Sequence, residues 1–293
     1  MRILCSTGAV THHPTRADHR LVAEARGLPV DAFELSIYPA WIDGGEAVAE
    51  DLAAIALPVE TAHAEKAIGA RLSEGDATAV VRLERNARPA GGMCARLLVL
   101  HLWELPLGDR HLERNLELLP ACIDAAAGYG LELAVETIPC SVGSPLGNAA
   151  RAVERDPRCA LVLDTEFLAL HGELEGALDA GLPVAHVHLK DFAGEISHGD
   201  PRRRYLLPGE GGSTSTASSP TCAVEGTTGL SRSRHRRSTP RARSTSAGWR
   251  RSRQRCGAWP LDLRRDCDPY SQRGYARCDS DTSRGGRPPG RAG

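Results

Sequence analysis

The sequence predicts an α/β protein, a (β/α)8 barrel that lacks its eighth β/α unit. Three observations lead there. Strand-sized apolar segments alternate with helix candidates seven times between residues 2 and 191, the pattern of a parallel sheet with helical crossovers. Polar residues recur at the carboxyl ends of those strands, where such barrels keep their chemistry. After Gly212 the alternation stops and the composition changes abruptly. A doubly wound sheet is the competing architecture, but it usually carries a Gly-rich phosphate loop after its first strand, and none follows here.

In order, residues 2–10 read as a first strand and residues 15–26 as a helix closed by Gly27. Residues 32–37 (AFELSI) form a second strand, ended by Tyr38-Pro39. A weakly amphipathic helix over 46–55 and a short third strand over 58–64 follow. The 76–88 region looks helical and should break at Pro89, Gly91 and Gly92. Residues 96–103 (RLLVLHLW) are apolar on both faces, as buried parallel strands are. Leu112, Leu116, Leu119 and Ile123 mark one stripe of a helix closed by Gly128 and Gly130; Pro120 inside it predicts a kink. A strand over 131–138, a helix over 145–155, a strand over 160–165 and a short helix over 174–180 come next. The last strand is 184–191, VAHVHLKD. Strict alternation puts Val184, His186 and His188 on one face and Ala185, Val187 and Leu189 on the other.

Charge is balanced overall at −1, but residues 1–212 hold 19 Lys and Arg against 31 Asp and Glu, a balance of −12. Residues 213–293 hold 17 Arg, no Lys and 6 acids, a balance of +11. Such a split means an acidic domain with a basic tail, or two parts that do not belong together. No apolar run approaches the ~20 residues of a membrane span, and the amino-terminal residues lack a signal-peptide pattern; a cytoplasmic enzyme is expected. Cys5, Cys94, Cys122, Cys140 and Cys159 are scattered without a CxxC pair, so buried free thiols are expected rather than disulfides or a zinc knuckle.

Glu34, His63, His101, Glu136, Asp164 and the pair His186/His188 fall at the carboxyl ends of strands two to seven. In a barrel these ends converge on one mouth. Two carboxylates and an imidazole suit a divalent metal such as Mn²⁺, Mg²⁺, Co²⁺ or Zn²⁺. Each residue also has a plainer reading. Glu136 can cap a loop, Asp164 can N-cap the next segment, His188 can be a hydrogen-bonded core histidine, His186 can be structural, and Glu34 can face a loop amide. Glu65 and Lys66 read as a surface ion pair. The joint placement is more specific than any member.

The segments LAVETIP, LVLDT, VAHVHLKD and LPGEG together resemble the sugar phosphate isomerase/epimerase family. These are the xylose-isomerase-like TIM barrels, which also include the type IV AP endonucleases. The likeness spans residues 1–211. It implies that Glu136, Asp164 and His188 bind one divalent metal, completed by a Glu on strand eight. It further implies that the metal chelates a carbonyl and neighbouring hydroxyl of a ketose and stabilises an enediolate. Glu136 would then remove the α-proton and the strand-eight Glu return it, with His63, His101, His186 and Lys190 lining the sugar. Family members often carry a His where this chain has Phe167. An AP-endonuclease-like hydrolase would need more ligands and a basic surface for phosphates; the −12 balance of residues 1–212 and Phe167 argue against it. A third possibility is an inactive barrel remnant.

The family would continue after LPGEG with a helix and an eighth strand ending in Glu. Here residues 212–293 are instead rich in Arg, Ser, Gly and Pro, with neither helical nor strand period. Reading from the third base of each codon, a Ser written TCN gives xTC, always Phe, Leu, Ile or Val, and Thr gives xAC. With the first base left free, residues 212–234 can then read VDFDRFLADLRRRGYDGTLSLE: an amphipathic helix, a turn, and a strand ending in Glu. A one-base frameshift near Gly211–Gly212 is therefore expected, with the tail out of frame and disordered. A nucleic-acid-binding Arg-rich arm is the rival reading. Without the eighth unit, strands one and seven become open edges, and activity is expected to be impaired.

Overall fold

A computed structural model describes residues 2–11, 15–104, 107–193, 204–206 and 210. The domain boundary expected at 211/212 and the tail beyond it lie outside the described residues.

Seven strands form one parallel sheet in sequential order: β1 (Leu4–Ser6), β2 (Ala32–Ser36), β3 (Val59–His63), β4 (Leu97–Leu100), β5 (Glu132–Glu136), β6 (Ala160–Asp164) and β7 (Val184–His188). Each pairs with its sequence neighbour. In a flat sheet β2 and β7 would lie roughly 24 Å apart at ~4.8 Å per strand, yet His188 Nε2 sits 2.9 Å from Glu34 Oε2. The sheet is therefore curled into an open barrel. Among the described residues, β1 and β7 have no strand on their outer side.

Alternation along the strands sorts the core. Leu97, Val99, Ala134, Ala160 and Val162 fill the barrel interior. Leu98, Leu100, Leu133, Val135 and Leu161 belong to the larger outer cluster beneath the helices. Those helices are α1 (Pro39–Asp43), α2 (Gly45–Ala54), α3 (Ala67–Glu74), α4 (Ala79–Gly92), α5 (Leu112–Ala127), α6 (Pro145–Arg155), α7 (Thr165–Leu170) and α8 (Leu174–Ala177).

Several expectations are corrected. The first strand is only Leu4–Ser6; Thr7–Ala9 turns into a 3₁₀ segment because Ser6 Oγ accepts Gly8 N. The 15–26 helix is two 3₁₀ segments, Thr15–Ala17 and His19–Gly27. Val22 and Ala25 are its buried residues, and a spacing of three stacks them on one side of a three-residue turn. Helix α4 does not break at Pro89 but runs on to Gly92. Helix α3 was not expected; it is short and packs so closely that a Cβ on Gly69 would stand 2.4 Å from Trp103 O. Pro120 leaves Leu116 O without its helical donor, and Arg155 Nε from α6 supplies one at 3.2 Å. Glu65 is buried and pairs with Arg82 Nε and Nη2 and Asn86 Nδ2 rather than forming a surface pair with Lys66.

The last strand departs most. Leu161 pairs with Val184 but Val162 with His186, so Ala185 is an extra residue in a bulge. Val184 consequently packs outward against Leu163, Leu168 and Ala177, away from the face of His186 and His188. The strand ends at His188; Asp191–Ala193 (β8) pairs antiparallel with Arg204–Leu206 (β9). Of the five cysteines of the body, Cys122 and Cys159 are buried, Cys5 and Cys140 half-buried and Cys94 exposed, none of them in a disulfide. The expectation of burial fails for Cys94, which sits in a turn at φ +61°.

Candidate metal centre

Glu136, at the last position of β5, is the hub. It is buried, and three imidazoles from the carboxyl ends of three other strands converge on its carboxylate. His63 Nε2 and His101 Nε2 lie 3.0 and 2.6 Å from Oε2, and His188 Nδ1 lies 2.6 Å from Oε1. His188 turns its other nitrogen, Nε2, to Glu34 Oε2 at 2.9 Å. Thr61 Oγ1 on β3 donates to the same Glu34 oxygen at 3.2 Å. His186 Nε2 stands 3.9 Å from it.

Asp164 ends β6 and caps α7: Oδ1 accepts Glu166 N and Phe167 N at 3.0 and 3.2 Å. The N-cap reading and the site reading thus coexist, because Oδ2 points the other way, to Lys190 Nζ at 2.6 Å. Lys190 also lies 3.9 Å from Glu166 Oε2 and 4.7 Å over the Phe167 ring. Glu166 was not singled out from the sequence. It is fully buried and accepts the Tyr205 hydroxyl. Its only advance signal was a Glu two positions beyond Asp164, in a helix the pattern did not announce.

Electrostatics separate the groups. Burial pushes Asp164 up to about 6, although the Lys190 ammonium opposes it. Burial alone would also raise Glu34 and Glu136, but the charge and hydrogen bonds of His188 together with those of the neighbouring imidazoles outweigh it. Glu34 falls to about 2 and Glu136 well below the carboxylate range. Burial opposes protonation of His188, yet Glu34 and Glu136 on either side hold it well above the usual imidazole value. Burial lowers His101 to about 4 and lowers His186.

The donor set fits a divalent cation. One ligand atom from each of Glu136, Asp164 and His188 lies within 4.8 Å of the others, and the same holds for His63, His101 and Glu136 and for Glu34, His186 and His188. His63 Nδ1 faces the Ala64 carbonyl at 2.7 Å. A carbonyl only accepts, so Nδ1 carries hydrogen, and an Nε2 without one would aim its lone pair at a carboxylate oxygen. Two acceptors at 3.0 Å call for a proton or a cation between them.

No protein-family model matches the sequence, and no curated protein matches it. Among solved structures, a xylose isomerase domain protein from Planctomyces limnophilus aligns over 72% of this chain and 82% of its own, at 18% identity and TM-score 0.50. A D-tagatose 3-epimerase-like protein aligns over the same shares at 17% identity and TM-score 0.50. D-psicose 3-epimerase from Clostridium cellulolyticum H10, solved with D-tagatose, aligns over 64% of this chain and 72% of its own, at 14% identity and TM-score 0.50. The chain has the fold of these TIM barrels. No helix among the described residues is long and apolar enough to cross a membrane.

Proposed function

We propose that the chain is a divalent-metal-dependent isomerase or epimerase of a sugar or sugar phosphate. The observation that carries this reading is the convergence of Glu136, Asp164 and His188 to within 4.8 Å at the carboxyl mouth of the barrel. The fold shared with a protein solved with D-tagatose supports a small polyhydroxy substrate. Bound by these three residues, Mn²⁺, Mg²⁺, Co²⁺ or Zn²⁺ would supply Lewis acidity to a ketose carbonyl and its neighbouring hydroxyl. Glu136, held ionised, is the base that takes the proton α to that carbonyl. Lys190 and His186, at the rim of β7, orient the sugar. His63 and His101 set the direction of the Glu136 carboxylate and close the floor beneath the substrate.

Return of the proton on the opposite face needs a second acid, which the family pattern puts on an eighth strand. That strand is recoverable from residues 212–234 only in the shifted reading frame. Among the described residues β7 has no strand on its outer side, which supports a missing unit, and Val187 on it and Leu189 just beyond it are exposed. The chain as written is accordingly impaired. Sequencing across the Gly211 codon and assaying both frames against a ketose panel with added metal tests this. A restored frame that epimerises while the present chain does not is expected; an error-free read with Ser213 in frame and full activity overturns it.

A second reading, a metal-dependent phosphodiester hydrolase of the AP-endonuclease type, draws on the set His63, His101 and Glu136, which shares Glu136 with the first. It predicts two metals per chain and cleavage of abasic DNA. The acidic balance of residues 1–212 disfavours a polyanionic substrate. An inactive remnant predicts no stoichiometric metal.

A further inference from the structure

We infer that Glu34 is a positioning residue that fixes which nitrogen of His188 is free to bind the cation. The inference rests on the metal-centre reading above. His188 is held from both sides: Nδ1 faces Glu136 Oε1 at 2.6 Å and Nε2 faces Glu34 Oε2 at 2.9 Å. Nδ1 is the nitrogen beside Glu136, so a cation shared with Glu136 and Asp164 is placed to draw on it. Nε2 must then carry the hydrogen and donate it to Glu34. A carboxylate behind a ligating imidazole orients the ring, selects its tautomer and raises its basicity.

Glu34 is built for that task. It lies on the interior face of β2, 7% exposed, where the bulge between Phe33 and Glu34 brings Thr61 opposite it. Thr61 Oγ1 donates to Oε2 at 3.2 Å, the same oxygen that accepts from His188. His186 Nε2 stands 3.9 Å away, with its ring edge-on to His188 at 5.3 Å between centroids. The carboxylate is thus pinned by β3 and delivered to β7 across the curl of the sheet.

The test is Co²⁺ titration of the full chain by calorimetry, with Glu34→Leu, Glu34→Gln and Thr61→Val, and ¹⁵N spectra of the His188 ring. Glu34→Leu should weaken Co²⁺ binding by about 10–100-fold. Glu34→Gln keeps an acceptor and should recover part of the loss. Thr61→Val, which leaves the carboxylate in place, should weaken binding by a smaller factor and guards against misfolding of the first variant. The spectra of the Co²⁺-loaded or Zn²⁺-loaded protein should show Nε2 protonated and Nδ1 bound. Wild-type affinity in Glu34→Leu, or a protonated Nδ1 with metal at Nε2, overturns the inference while leaving the centre intact. Failure of the wild-type chain to bind Co²⁺ overturns the centre itself.

Discussion

Asp164 does two things with two oxygens, and a pair of variants separates them. Asp164→Ala removes the cap on α7 and the partner of Lys190 together. Loss of an N-cap costs ~1 kcal/mol. Breaking a buried ion pair from one side costs about 3–5 kcal/mol, and here the lower end applies. Lys190 retains 18% side-chain exposure, and Glu166 stands 3.9 Å away as a second anion. The expected loss is therefore about 4 kcal/mol for Asp164→Ala. Asp164→Asn keeps an oxygen on Glu166 N and Phe167 N but loses the charge, so about 3 kcal/mol is expected. Urea unfolding at pH 8 in EDTA, where the carboxyl is ionised, reads both values from the midpoints at constant m. Equal losses in the two variants would refute the capping role, and losses below about 1 kcal/mol in both would refute the Lys190 pair. Repeating the titration with Co²⁺ should show both variants losing the ligand equally.

Glu136→Gln should weaken Co²⁺ or Mn²⁺ affinity by more than the about 10–100-fold typical of a supporting residue, read by calorimetry; unchanged metal content would remove Glu136 from the ligand set. His188 has a folded-state pKa above its unfolded one, so its contribution to metal-free stability is complete below pH ~6.5 and is lost as pH rises through the raised value. Urea midpoints in EDTA should fall from pH 6.5 to 9, and His188→Gln should flatten that fall. Asp109 accepts Ser141 N and Oγ, Val142 N and Gly143 N, tying the loop after β5 to the segment before α5. Asp109→Ala should cost about 2 kcal/mol and expose the amides of residues 141–143 to hydrogen exchange.

The strands were legible because a parallel sheet buried on both faces leaves nearly continuous apolar runs, as Leu97–Leu100 and Ala160–Asp164 show. The mouth was legible because a barrel puts every strand's carboxyl end on one side, so Glu136, Asp164 and His188 could be gathered without coordinates. Short helices were not legible: α3 and α7 are too brief to display a period, and α7 is announced only by its cap, Asp164. Proline misled at Pro89, since propensity yields when neighbouring packing holds a helix together.

Residue types and strand order were enough to determine an α/β barrel with acids and imidazoles at one end, since alternation and burial are local properties of the chain. The partners of those side chains were decided by the tertiary structure alone. A one-residue bulge turned Val184 outward while His186 and His188 stayed inward, and pairing a strand with a one-residue slip reverses its faces. The curl of the sheet joined Glu34 to His188 across 154 residues, and no periodicity in the sequence encodes a contact that depends on how far seven strands bend.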